Sequence, residues 1–277
     1  MKKKRLKMMG IYLILIIALV IFLFPMYWMV ISAFRNNNGL MQWPLNFKPV
    51  IDTFSNIAAV FSSDKYTHYI LNSFIISAGT MLSCVLLSLL AGYALSRYKF
   101  PMRKVIMSTL LSVQMFPTVA ILITLYTFFV RFKLTNTYTG LVLACLCVSL
   151  PLSVWMMKSF YDTIPLSLDE AAKIDGCGRF GILFRVIMPM MKPGIYAVGI
   201  YSFLMAWDDY VFSKVLINVN DKKTLTVGIA ESFMGEFSHN YAGMMALAVV
   251  AALPIVLIFI IFQRFLISGM TAGAVKE

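Results

Sequence analysis

Asp208 and Asp209 stand side by side in Pro193–Ser213, a run of 21 residues that is otherwise free of charge. Carboxylates in so apolar a setting usually face a cavity and mark function. Consecutive helical residues point ~100° apart, so the two acids are not expected to share one line of a pore. One is expected to line a path and bond hydroxyls or cationic groups, the other to face a helix end or a basic neighbour such as Lys214. Asp208 lies 15 residues beyond Pro193, ~22 Å along a helix, in the outer third of a hydrocarbon core ~30 Å thick. A helix that ends here, leaving both acids wet, is the competing expectation. No catalytic constellation is found: an intramembrane enzyme needs Ser/His, paired Asp or HExxH inside apolar runs. His68 and His239 fall at outer span ends without such companions. Cys84, Cys145, Cys147 and Cys177 show no CxxC spacing, so no metal site is expected. They read as small apolar fillers.

The elements that must position these residues are membrane helices. Of the 277 residues 60% are hydrophobic and 13% charged, with mean hydropathy +0.83. Soluble domains are nearer half apolar and a quarter charged, so a water-soluble, disordered or disulfide-built chain is excluded. Five runs free of Asp, Glu, Lys and Arg, of 27, 31, 26, 24 and 27 residues, each exceed the ~20 residues that a bilayer requires. With Pro193–Ser213 they predict an all-α polytopic protein with six transmembrane helices near 11–33, 67–95, 105–130, 137–157, 193–213 and 241–263. Residues 1–10 are then a cytoplasmic N-terminus, 11–267 a transmembrane domain and 268–277 a cytoplasmic tail. The first span follows a basic start but lacks a small-x-small cleavage site, so it reads as a retained anchor, kinked at Pro25.

Six spans place 16 Lys and Arg on the side of both termini and eight on the other. The richer side is cytoplasmic. The net charge of +12 is therefore a topology signal that requires no nucleic acid. The outer loop Phe34–Thr67, with Trp43-Pro44 and Pro49, reads as irregular. The cytoplasmic loop Lys158–Lys192 is longer than a connector needs, and long loops are usually functional.

Within that loop, Ser167 and Glu170 have capping-box spacing, Asp169 adds negative charge to a first turn, and Gly176 can take the left-handed turn that ends a helix. A helix is predicted over Leu168–Asp175, then a second from Arg179 that stops before Pro189. Ile182, Leu183, Val186 and Ile187 give the second an apolar stripe. The product is a helix-turn-helix on the cytoplasmic face over 164–189, and an interfacial helix resting on headgroups would have the same pattern.

Glu170-Ala171-Ala172, Gly176 and Val186-x-Met188-Pro189 resemble the EAA loop of ABC importer permeases. Phe24-Pro25-x-x-Trp28 with Ser32, Trp43-Pro44, Asn72-Ser73, Ala91-Gly92-Tyr93-Ala94-Leu95-Ser96-Arg97, Pro151, Trp155 and Thr224-Leu225-Thr226-Val227-Gly228 continue the likeness in register. With the tail Gln263–Lys276 the chain resembles the shorter permease subunit of maltose-type carbohydrate importers.

The resemblance implies a type I ABC importer permease in a bacterial cell membrane, acting in sugar import and not as an enzyme. Its expected partners are a second, different permease, two copies of an ATPase, an external sugar-binding protein and the lipid bilayer. ATP and Mg bind the ATPase; this chain has no GxxxxGK[ST] loop and is expected to bind no cofactor. Glu170, Ala171, Ala172 and Gly176 are implied as coupling residues: the acid meets the ATPase, the alanines pack and the glycine sets the turn. Ser268, Gly269, Thr271, Gly273 and Lys276 are implied as a tail contact with the ATPase, in a segment whose glycines suit an extended strap. Asn218, Asn220, Lys222 and Lys223 are implied contacts of the binding protein. Relatives usually carry Asn where this chain has Asp208. A permease for a non-sugar solute shares the EAA loop; a secondary transporter would want a mid-membrane charge relay and repeated halves, and neither is found.

Overall fold

Helices dominate the computed structural model, which describes residues 2–233 and 240–274. Among the described residues, four helices have the length and apolarity of a membrane span: Met8–Ala33, Asp64–Arg97, Tyr138–Asp162 and Tyr241–Phe262. Two more candidates are bent pairs, Arg103–Met115 with Thr118–Arg131 at 103° and Arg179–Met190 with Lys192–Trp207 at 81°. Counting each pair once reaches the expected six.

The differences from expectation have local causes. The third span is not one helix over 105–130. Pro117 has no N–H to donate and its ring pushes the preceding residue out of the helical region; Phe116 is extended, with ψ of 136°. The fifth span stops at Trp207 instead of 213, and a short helix Val211–Leu216 follows two acids and a tyrosine. The last helix runs to Ala274, so residues 268–274 are helical where an extended strap was expected. Gly269 and Gly273 cost about 1 kcal/mol each in a helix interior, but extending an existing helix needs no new nucleus. The outer loop is partly helical, at Asn37–Leu40 and Ser55–Ser62.

Contacts divide the chain into two units. The first comprises residues 1–67 and 229–254. There the segment after the first helix folds back on it: the Phe34 carbonyl accepts from the N–H groups of Asp52 (2.9 Å) and Thr53 (3.0 Å), Asn56 donates to the carbonyls of Ala33 and Arg35, and Phe47 meets Trp28 at 5.1 Å between ring centroids.

The second unit comprises residues 68–228 and 255–277. One apolar cluster joins Leu89, Tyr93, Met157, Tyr161 and Val198 of three span helices to Ala172, Ile182, Leu183 and Ile187 of the predicted helix-turn-helix. A second joins Ile76, Leu122, Phe129, Leu141, Cys145 and Ala206 to Phe212, Leu216 and Ile217. Small residues allow the close approaches. A Cβ on Gly92 would lie 3.0 Å from both the Lys158 backbone nitrogen and Met157 Cβ.

Candidate functional site

The helix-turn-helix forms, with a shifted start. Its first helix is Leu166–Ile174, with Pro165 at the N-cap position, extended at ψ 136° and giving no side-chain cap. Ser167 is therefore inside the first turn, and the Ser167–Glu170 capping box does not form. Its end is a Schellman turn: the Cys177 N–H donates to the Ala172 carbonyl at 2.9 Å, and the Gly176 N–H to Lys173 at 3.0 Å. Gly176 sits at φ +80°, as read from sequence. Cys177 packs on the same cluster as Ala172, the apolar contact that accompanies such turns.

The second helix does not stop before Pro189. Residues 179–190 are helical throughout, widened to a π-helix over Ile182–Ile187. Proline removes a donor and crowds the carbonyl one turn earlier, and a π turn is one way to accommodate that. Ile182, Leu183 and Ile187 are buried and Val186 packs beside them, as the stripe predicts.

These packings sort the implied coupling residues. Glu170, Ala171 and Gly176 are exposed. Ala172 is buried in this chain's own core, so it seats the helix from within and is not free to pack on a partner. Beside the exposed acid stand uncovered apolar side chains: Leu166 is 57% exposed, Ile174 87% and Phe180 73%.

The residues that hold the element were missed. Asp169 does not serve as a free first-turn charge. It is buried, with its Oδ2 3.2 Å from Arg97 Nε and its Oδ1 accepting from the Tyr93 hydroxyl at 3.2 Å. The Nε–H is not aimed at Oδ2, so that contact is an ion pair without a hydrogen bond. Arg97 Nη2 donates to the Ile164 carbonyl at 3.0 Å. The Ser96 hydroxyl donates to Asp162 at 2.6 Å, and Lys158 pairs with Asp162 one turn earlier. The end of the helix Asp64–Arg97 thus grips both sides of the loop's entry. The signal was present: Tyr93, Ser96 and Arg97 share a face at i, i+3 and i+4.

At the opposite end of the same helix, Asn72 Nδ2 donates to the carbonyls of Asp221 (2.8 Å) and Lys223 (2.9 Å). Its Oδ1 accepts from the Tyr138 hydroxyl at 2.7 Å, and Ser73 Oγ accepts from the Leu225 N–H at 2.8 Å. Asn136, at φ +57°, accepts through its side chain from the N–H groups of Asn218 and Val219. Its carbonyl accepts from Lys222 Nζ at 2.9 Å. Among the four residues implied as binding-protein contacts, Asn218 and Asn220 are exposed and Lys222 and Lys223 half-buried. Lys222 is turned toward Asn136 and the Tyr138 ring.

The two acids, which follow the end of the helix Lys192–Trp207, part company. Asp209 caps the helix Val211–Leu216: its carboxylate accepts from the N–H groups of Phe212 (3.2 Å) and Ser213 (2.8 Å) and from the Ser213 hydroxyl (2.7 Å). Asp208 is exposed, and its carboxylate makes no hydrogen bond or ion pair among the described residues. Both line a cavity of about 390 Å³ with Thr118, Cys145, Tyr201 and Tyr210. The backbone of 268–273 is helical, while Lys276 and His239 lie outside the described residues. Cys84 and Cys145 are buried, Cys177 is half-buried and Cys147 is exposed.

The family described as "Binding-protein-dependent transport system inner membrane component" matches residues 84–272. A sulfoquinovosyl glycerol transport system permease of Agrobacterium fabrum is 34% identical over 92% of this chain and 89% of its own. A trehalose/maltose transport system permease of Thermococcus litoralis is 31% identical over 100% and 99%. Among solved structures, a bacterial ABC transporter that imports the acidic polysaccharide alginate has the same fold, with a TM-score of 0.84 at 18% identity over 95% of this chain and 98% of that one.

Proposed function

The chain belongs to the family of binding-protein-dependent transport system inner membrane components, and from that premise we propose that it forms half of the path of an ATP-driven importer of di- or oligosaccharides. It is a multi-pass membrane permease. The saccharide class is supported by relatives whose names specify trehalose/maltose, maltodextrin and galactooligosaccharide transport. A complex of the alginate transporter with its periplasmic protein supports an external binding protein as one partner.

The carrying observation is the clamped helix-turn-helix. Its inner face is locked by the buried Asp169–Arg97 pair while Glu170, Ala171 and the Gly176 turn remain presented. An element held so firmly and left so apolar outside suits a rigid partner surface better than headgroups, which impose no register. We assign it to the cleft of a separate ATPase, present in two copies, that binds ATP and Mg; this chain holds no cofactor and catalyses no reaction. Closure of the ATPase dimer then shifts the permease between inward- and outward-facing states, each favoured by its own contacts. Both termini lie in the cytoplasm by the charge rule, and the tail residues Ser268, Gly269, Thr271, Gly273 and Lys276 form a second ATPase contact. A second, different permease completes the path. Asp208 lines its upper part, where the free carboxylate accepts from saccharide hydroxyls or meets cationic groups, and Asp209 fixes the turn that presents it. Asn218 and Asn220 meet the binding protein; Lys222 and Lys223 shape that loop.

The test is to purify the assembled complex and screen saccharides for binding-protein-dependent ATP hydrolysis. Stimulation by at least one saccharide is expected. ATP hydrolysis by the isolated chain, or stimulation only by non-saccharide solutes, would refute the reading.

A further inference from the structure

We propose that the helix Asp64–Arg97 is a transmission rod, carrying displacement between the outer loop 217–225 and the cytoplasmic helix-turn-helix; this rests on the roles proposed above for those two loops. The helix is a single element of 34 residues with no proline to bend it. From Asn72 to Arg97 it spans ~38 Å at 1.5 Å per residue.

Both ends are fastened by side chains of the rod itself to the loops concerned. Outside, Asn72 and Ser73 hold the backbone of Asp221, Lys223 and Leu225. Inside, Tyr93 and Arg97 hold Asp169 and the Ile164 carbonyl, and Ser96 holds Asp162. Bonds to backbone carbonyls and N–H groups fix the course of a loop, so a shift of the rod must move both loops or break these contacts.

The middle of the rod is packed too closely to absorb such a shift. Gly79 stands where a Cβ would meet Val142 at 3.1 Å, and Gly92 where one would meet Met157 at 3.0 Å. Cys84 and Ser153 approach to 3.1 Å. The Tyr161 hydroxyl donates to the Leu89 carbonyl at 3.1 Å. Close-packed interiors transmit displacement, and interfaces of this kind rearrange between discrete states instead of deforming gradually.

The alternative is two independent local scaffolds that happen to share a helix. They are separated by non-additivity. In the complete purified transporter, ATP hydrolysis is measured with and without saturating saccharide-loaded binding protein, and the ratio is the readout. Asn72→Ala, at the far end of the rod from the ATPase, is expected to lower that ratio roughly tenfold while the complex still co-purifies. Arg97→Gln is expected to lower it similarly. The double variant should be no worse than the weaker single variant, because a rod cut at one end loses nothing more when cut at the other. Should Asn72→Ala prevent assembly, Ser73→Ala, which removes one acceptor, is measured in its place with the same expected direction. An unchanged ratio, or losses that multiply in the double variant, would overturn the proposal. A wild-type transporter that no saccharide-loaded binding protein stimulates would overturn the functional reading first, and the rod with it.

Discussion

Replacing Asp169 by Ala would strand Arg97, whose side chain is 6% exposed, with the Ile164 carbonyl as its remaining hydrogen-bond partner among the described residues. Breaking one half of a buried pair costs about 3–5 kcal/mol. Asp169→Ala is therefore expected to lower the unfolding temperature of the purified complex, and Arg97→Met with Asp169→Leu to lower it less than the single change. Two glycines make a contrast. A Cβ at Gly228 would stand 2.1 Å from Tyr69 Cδ2, while at Gly176 it meets nothing within 4 Å. Gly228→Ala should displace the Thr224–Gly228 segment and abolish transport. At Gly176 the demand comes from φ alone, so Asn, which tolerates the left-handed region, should preserve saccharide-stimulated ATP hydrolysis where Leu weakens it. Glu170→Lys should abolish that stimulation without loss of membrane insertion. Glu170 makes no capping bond among the described residues, so the effect would read charge at the proposed partner surface. Asp208→Ala should change transport or solute preference with the complex intact; uptake equal to wild type would remove Asp208 from the path.

The two helices of the helix-turn-helix offer the clearest separation of structure from docking. Ile187 is fully buried, whereas Ile174 on the first helix is 87% exposed. Ile187→Ala is expected to cost about 2–5 kcal/mol, seen as a lowered melting temperature. Ile174→Ser is expected to leave melting unchanged and reduce co-purification of the ATPase. Much at this scale was legible beforehand. Long uncharged runs disclose spans because a bilayer excludes charge, and the stripe Ile182–Ile187 discloses its buried side because helical periodicity is local. The Gly176 turn is local too. What stayed hidden was non-local. Asp169 finds its partner 72 positions upstream, and Asn72 finds Asp221 149 positions downstream, so neither role follows from spacing along one helix. Pro117 breaking the third span and Pro165 advancing the start of the helix Leu166–Ile174 were legible in principle, since proline acts through its own ring.

At the scale of the whole molecule, the sequence holds no GxxxxGK[ST] loop, and the described residues hold a carboxylate-lined cavity of about 390 Å³ and a helix-turn-helix whose inner face is gripped by the Asp169–Arg97 pair. The fold, the membrane setting and the permease family were within reach of composition and motif together; the bonds that tie the helix Asp64–Arg97 to the loops near its two ends were not, because they are side chains meeting loops distant in sequence. The uncovered Leu166, Ile174 and Phe180 carry one more consequence, for protein quality control. An apolar surface with no subunit upon it is what chaperones and proteases seize. On the proposed docking to an ATPase, a subunit made in excess of that partner should therefore be short-lived, the same surface serving as a degradation signal that assembly erases. Pulse-chase labelling should show a shorter half-life for this chain without the ATPase than with it, and Ile174→Ser should lengthen the orphan's half-life.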